Sequence, residues 1–230
     1  LGDVYKRQVV DRGTLEVSVS ASGKIVPAVE EIITSPVSAR IVEVYRRSGD
    51  SVEAGTPLLK LDLQSTETEY HKQLDEERMK QLQLDQLRMN NETYLGDLAM
   101  KVKVQAMKVG RMEADLRNER YLDSLGSGTT DRVRQAELAY NTGCLELEQL
   151  RQQYANEQKV KEADLKVKQL ELDIFRKSLS ETRRTLEDAQ LRSPRKAILT
   201  SINTQVGSQV APGSQVAVVS DLSHFRVDGE

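Results

Sequence analysis

Between Leu63 and Gln190, leucines and valines recur at three- and four-residue spacing through a long, charged stretch. This is the spacing of one face of an α-helix. Leu125-Gly126-Ser127-Gly128-Thr129-Thr130 interrupts it once, near the middle. The break divides it into arms of 61 residues (Gln64 to Ser124) and 62 residues (Thr129 to Gln190). Equal arms around a Gly-Ser turn predict an antiparallel helical hairpin over 63–190, with its tip at about 125–130. Each arm would reach about 90 Å at the α-helical rise. Helices of that length support each other as a coiled coil.

The register can be counted. In the first arm the core positions fall on Leu95, Leu98, Val102, Gln105, Val109, Met112 and Leu116, six of them apolar. Nearer the base the same register runs through Leu74, Glu77, Gln81, Leu84, Arg88 and Asn91, a poor seam. In the second arm Val133, Ala136, Tyr140, Gly143, Leu147, Leu150 and Tyr154 hold one register. Leu165, Leu172, Phe175, Leu179, Leu186 and Ala189 hold another. The eleven residues from Tyr154 to Leu165 make a stutter, which predicts local unwinding. Gly110 lies 17 residues before Ser127 and Gly143 lies 16 after it. The two glycines are therefore expected at one level, about 25 Å below the tip, with close approach or bending of the arms.

Outside the hairpin the period changes to two. Leu15, Val17, Val19 and Ala21 alternate with Glu16, Ser18 and Ser20, which predicts a half-buried strand. Lys24 to Ile33 reads as a second strand-like run. Ile41 to Val44 and Leu58 to Leu61 read as strands separated by turns at Gly49 and Gly55. The same text returns after the hairpin. Ser35, Pro36, Ala39, Gly49, Val52 and Gly55 recur as Ser193, Pro194, Ala197, Gly207, Val210 and Gly213, at a constant offset of 158 and without a gap. Glycine weighs most here, because a turn at positive φ tolerates little else. An internal repeat means two copies of one β unit. Neither copy is long enough to bury a core alone, so the two are expected to pair. Pairing requires the ends of the hairpin to meet, which an antiparallel hairpin provides.

Composition narrows the function classes. The 230 residues are 30% charged and 4% aromatic, with no Trp and a formal net charge of -3. Acids and bases interleave, and no basic patch carries stacking aromatics, so nucleic acid is not an expected partner. Cys144 is the single cysteine and sits beside a seam position, where a small buried thiol is the expected reading. His71 and His224 stand far apart with no ligand cluster around them, so no metal is expected. No catalytic Ser/His/Asp order or phosphate-cradling loop is present, and neither an enzyme nor a cofactor is expected. No apolar run is long enough to span a membrane. The chain starts at Leu1 and stops beside a strand at 227–230, and it reads as truncated at both ends. Residues 1–8 fit no element and read as a non-native leader.

At these residues the chain resembles the membrane fusion protein family, also called periplasmic adaptor subunits or HlyD-like proteins. The match runs from Ser35-Pro36 through Gly49-Asp50-Ser51-Val52-Glu53-Ala54-Gly55 to Leu61-Asp62. It resumes at Leu191-Arg192-Ser193-Pro194 and continues through Gly207 to Ser220-Asp221. The resemblance implies an α+β fold: a biotinyl/lipoyl-like β-sandwich split by the coiled-coil hairpin, with strands of a truncated β-barrel. The implied parts are a leading barrel strand over 9–24, sandwich halves over 25–62 and 191–222, and a barrel start over 223–230.

The resemblance also implies a role. Adaptors of this kind are anchored to the inner membrane of double-membraned bacteria and act in the periplasm. They bridge an inner-membrane transporter, of the ATP-binding cassette or resistance-nodulation-division type, to an outer-membrane channel in efflux or secretion. They stack as a homo-oligomeric ring, with the hairpin tip on the channel. The family's tip pattern is Arg, then Leu four residues on, then Ser seven after that. Asn118, Leu122 and Thr129 hold those spacings here, with Arg117 and Arg120 flanking the first. Leu125 and Thr130 complete the candidate contact set.

Two rivals stand beside this reading. A coiled-coil tether would account for the hairpin but not for the flanking repeat. A biotinyl or lipoyl carrier would need a modifiable Lys on the turn between the half-motifs. Here the hairpin replaces that turn, and the nearby Lys60 lies inside a strand.

Overall fold

A computed structural model describes residues 9–20 and 22–229. The proposed leader 1–8, Ala21 and Glu230 lie outside the described residues. The chain divides into two compact units, a β body formed by residues up to 62 and from 188 onward, and a helical unit over 63–187.

Seven strands make the β body: β1 (Gly23–Thr34), β2 (Ala39–Val44), β3 (Ser51–Val52), β4 (Leu59–Leu61), β5 (Ala197–Ile202), β6 (Gln209–Val210) and β7 (Gln215–Gly229). They form a four-stranded sheet of order β1-β7-β5-β3 and a three-stranded sheet of order β4-β2-β6. Each half-motif lends a strand to the other's sheet. Ala39 pairs with Val210 and Arg40 with Gln209; the 158-residue offset turns these into Ala197 with Val52 and Ile198 with Ser51. The longer ladders repeat as faithfully. Ile41↔Leu61, Glu43↔Lys60 and Val44↔Leu59 in β2 and β4 become Leu199↔Val219, Ser201↔Val218 and Ile202↔Ala217, irregularity included.

The turns repeat too. Gly49 N donates to the Leu199 carbonyl at 2.7 Å, and Gly207 N to Ile41 at 2.8 Å. Gly55 N donates to Ser193 and Gly213 N to Ser35, both at 2.7 Å. All four glycines have φ between 77° and 96°, where a Cβ would strain the backbone. Ser35 and Ser193 are buried, and each hydroxyl donates to the carbonyl two residues on at 2.7 Å. Ile41, Val52, Leu58, Leu59, Leu199 and Val219 fill the core at 0–1% exposure. Neither half encloses that core alone, because each sheet is completed by the other half.

The leading strand expected over 9–24 needs correction. Residues 9–20 carry no strand and are exposed. Alternation sorts side chains to two faces, but a strand also needs a partner for its N–H and C=O groups, and residues 9–20 have none. Strand β1 begins at Gly23 instead and passes through the expected boundary at 24/25. It pairs with β7 from Gly23↔Gly229 to Thr34↔Gln215, so the boundary at 222/223 also falls inside a continuous strand. The barrel-side part of this ladder leaves Ile25, Phe225 and Val227 58–68% exposed.

The ladder shifts register where Ala28 alone opposes Leu222, Ser223 and His224. Asp221 closes the resulting bulge, accepting from the Ser223 hydroxyl at 2.6 Å and its backbone N–H at 2.9 Å. The Ser223 hydroxyl and then its N–H hold the Asp221 carboxyl below the usual range, with help from His224 and Arg195 and against desolvation. A depressed folded pKa stabilises above the unfolded value of about 3.9, and that stability is lost as pH falls through the folded value. The Ser223 amide resonance should therefore titrate with a midpoint below that of a free aspartate, and Asp221→Asn should abolish the transition.

The helical unit consists of α1 (Gln64–Ser124) and α2 (Thr130–Asp188). Leu98, Gln105 and Leu116 are buried on α1, and Gly143, Leu147 and Leu172 on α2. The poor part of the α1 seam is bonded rather than packed. Arg176 Nε meets Glu77 Oε1 at 2.7 Å and Arg176 Nη2 meets Gln81 Oε1 at 3.0 Å. At the stutter, buried Asn91 donates to the Lys161 carbonyl at 3.3 Å, while Lys161 Nζ lies 5.0 Å from the centre of the Tyr94 ring. Polar groups occupy the seam where the heptad skips. Arg88, a core position in the counted register, is exposed instead. Beside the seam, the Tyr140 hydroxyl is held above the usual tyrosine range, first by its hydrogen bond with Cys144, then by the charge of Cys144 and of Glu113.

Candidate functional site

The tip is built by two caps that share five residues. Strand-like continuation is blocked because α1 ends in a glycine at φ 73°, Gly126. Its N–H donates to the Asp123 carbonyl at 3.0 Å, and Ser127 N donates to Leu122 at 3.0 Å. These are the two bonds of a Schellman motif, and they satisfy carbonyls that the helix end leaves unpaired. Gly128 N adds a second donor to Leu122 at 3.0 Å. A Cβ at Gly128 would lie 2.6 Å from Asp123 N and 2.9 Å from its Cα, so only glycine fits this crossing. Thr129 then serves as N-cap of α2: its hydroxyl accepts from Arg132 N at 3.4 Å and its carbonyl from Val133 N at 3.2 Å. Asp131 in the first turn suits the positive end of the helix dipole.

The candidate tip residues take different positions. Leu122 is half-buried, and its carbonyl holds the cap together. Arg120 Nη2 meets Glu137 Oε1 on the other arm at 3.1 Å. Arg117 lies only within 3.9 Å of Glu113 on its own helix, so its guanidinium points to solvent. Asn118 lines a shallow groove between the arms with Met112, Asp115, Glu119, Arg132 and Gln135. Thr129, Thr130 and Leu125 are exposed. Tyr121, absent from the sequence candidates, is 62% exposed next to Leu125 at 60%. The signal for it was present: Arg117, Tyr121 and Leu125 follow one another at i,i+4 on the face turned away from the seam. The tip thus offers one cation, one phenol and one aliphatic side chain in a line, on a turn that its caps make rigid.

Below the tip the two glycines part company. Gly143 is buried, and a Cβ there would lie 2.7 Å from Met112 Sδ and 3.4 Å from Val109 Cγ2. Gln105 Nε2 donates to the Gly143 carbonyl at 3.3 Å and to Glu146 Oε2 at 3.0 Å. Gly110 is a correction. It is exposed, and a Cβ there would meet nothing within 4 Å. The approach is one-sided because the seam admits Val109 and Met112 from α1, which turns Gly110 outward. Gly110→Ala is therefore expected to raise stability by about 1 kcal/mol through helix propensity alone. Gly143→Ala should gain less or lose, because Met112 must move. Paired thermal melts of the two variants check this difference.

Among the described residues no group of three or more His, Cys, Asp or Glu could hold a metal ion. Among them also no helix is long and apolar enough to cross a membrane.

No family model matches the chain. No curated protein matches it either. Solved structures do. The periplasmic adaptor protein EmrA aligns over 90% of this chain and 76% of its own, at 15% identity and a TM-score of 0.41. MacA from Actinobacillus actinomycetemcomitans aligns over 91% of this chain and 54% of its own, at 15% identity and a TM-score of 0.46. Each is an adaptor or membrane fusion protein by name. The chain resembles that group. The soluble domain of LipC, a membrane fusion protein of a type I secretion system, aligns over 83% of this chain and 98% of its own, at 14% identity and a TM-score of 0.41. The chain spans about half the length of the MacA structure. At such identities, every functional statement below rests on this chain's own residues.

Proposed function

We propose that this chain is the adaptor of a multi-component efflux or secretion system. In this reading it works in the periplasm, anchored to the inner membrane. It bridges an inner-membrane transporter, of ATP-binding cassette or resistance-nodulation-division type, to an outer-membrane channel. One observation carries the reading: two half-motifs at a 158-residue offset complete each other's sheets, and a two-armed rod is inserted between them in the chain. A tether needs the rod but has no use for the paired body. A carrier domain needs a short turn with a modifiable Lys where this chain has the rod. The role is mechanical, and the chemistry is recognition. The rod presents a tip, with Arg117, Tyr121, Leu125, Thr129 and Thr130 as its exposed contact set. Individual exposed pairs are worth tenths of a kcal/mol, so attachment rests on several copies engaging together.

Site-specific photocrosslinking tests the reading. A crosslinker at Leu125 or Thr129, in cells carrying the full system, is expected to capture an outer-membrane channel protein. A crosslinker at Gly110, on the shaft, is the control. Equal labelling at both positions, or no channel protein from either tip position, would favour the tether.

A further inference from the structure

The outer faces of both arms carry apolar stripes that the hairpin itself does not use. In a two-stranded coiled coil the positions facing away from the seam are ordinarily polar. On α2, however, Val160, Ala163, Val167, Leu170 and Ile174 follow each other at spacings of three and four, all of them exposed. Leu170 is 60% and Ile174 59% exposed. On α1, Met79, Leu82 and Met89 form a similar stripe at 52–61% exposure. Scattered surface leucines need no explanation, but a five-residue run in heptad spacing does.

The stripes lie at one level and on opposite flanks. Cross-arm bonds set the level: Glu77 meets Arg176 at 2.7 Å and Asn91 meets Lys161 at 3.3 Å. Residues 79–93 therefore stand beside residues 160–174. The flank follows from the register. With Leu74, Leu84 and Leu98 at core positions, Leu82 and Met89 sit at b, next to the e flank. With Leu165 and Leu172 at core positions, Val160, Val167 and Ile174 sit at c, next to the g flank. Arg120 and Glu137, both at e, meet at 3.1 Å, so e faces e across this hairpin and g lies on the other side.

We propose that the two stripes are the two sides of one interface between copies of this chain, with α1 of one hairpin docking along α2 of the next. Set side by side without axial shift, Met79 comes opposite Ile174, Leu82 opposite Leu170, and Met89 opposite Ala163. Long side chains thus face each other at two layers, and a long one faces a short one at the third. Glu76 comes level with Lys177, and Asp85 with Lys168. A foreign helix would need only one stripe. Matched stripes on opposite flanks are what a head-to-tail array of one chain requires. The adaptor reading on which this rests calls for a ring; the stripes name the faces that meet. They also confine the contact to the half of the rod away from the tip. Above Gly96 the pattern breaks: Met100 and Met107 point straight out, as Leu138 and Leu145 do, and no opposite-flank pair remains. The tips are left unzipped and free to spread onto a partner.

Disulfide trapping tests this in the full chain, in a Cys144→Ser background. Leu82→Cys combined with Leu170→Cys in one chain is expected to give a ladder of covalent trimers and higher species on oxidation. Mixing the two single variants should give heterodimers only, and neither single variant should crosslink to itself. Self-crosslinking of Leu82→Cys would show a two-fold contact and overturn the head-to-tail geometry. Monomer alone from the double variant, with unchanged helical circular dichroism, would overturn the interface. An equally strong ladder from Met107→Cys with Leu138→Cys would overturn its confinement to the lower half. A ladder without channel capture at the tip would sink the adaptor reading and leave the interface standing; capture without a ladder would do the reverse.

Discussion

Leu199→Ala is expected to cost the β body about 2–5 kcal/mol, the range for deleting a fully buried leucine side chain. Leu199 is 0% exposed and sits in the central part of the four-stranded sheet, between β7 and the turn of the other half-motif. Its carbonyl accepts from Gly49 N at 2.7 Å, and its N–H donates to Asp50 at 2.9 Å. The residue therefore links the two halves by packing and by backbone at once. Amide exchange at Gly49 and Gly207 reads the result. If the body opens as a unit, both amides should exchange faster by roughly 30-fold to several thousand-fold, at tenfold per 1.4 kcal/mol. Acceleration at Gly49 alone would show that the halves are separable, contrary to the shared sheets. Ile41→Ala, the equivalent change in the other half, should give the same pattern.

Gly128→Ala is expected to disrupt the tip at a cost of about 1–3 kcal/mol, because the added methyl meets backbone that cannot yield. The nearest atoms are Asp123 N at 2.6 Å and Asp123 Cα at 2.9 Å. Relief requires moving the last turn of α1 or the start of α2, and either breaks the donation of Ser127 and Gly128 to the Leu122 carbonyl. The amides of Ser127 and Gly128 should lose exchange protection, and crosslinking from Leu125 should fall with it. Ser127→Ala, which removes a side chain that makes no bond in either cap, should change neither. If Gly128→Ala retained full protection and full capture, the tip would not depend on this crossing.

Much of this was legible in the residues, for stated reasons. A hairpin declares itself because heptad spacing and a Gly-x-Gly break are local signals. The half-motif pairing was legible because Gly49, Gly55, Gly207 and Gly213 stand at positive φ and so leave a mark that few substitutions would preserve. Signals that depend on a partner were not legible. Glu77 and Gln81 read as seam defects until Arg176 is seen between them. Gly110 and Gly143 look equivalent in spacing, yet rotation about the helix axis buries one and exposes the other. Tyr121 went unnoticed because the tip was read from a spacing pattern rather than from the face that Leu125 shares.

The sequence by itself determined the elements: two arms, one break, and two β units whose text repeats at a fixed offset. Those are properties of period and of glycine, and they need no distant residue to be true. Only the tertiary structure decided which strands share a sheet, that β2 takes β6 and β5 takes β3, and that residues 9–20 stay without a ladder. Alternating side chains choose a face, but a backbone hydrogen bond needs a second strand, and nothing local says which one will come.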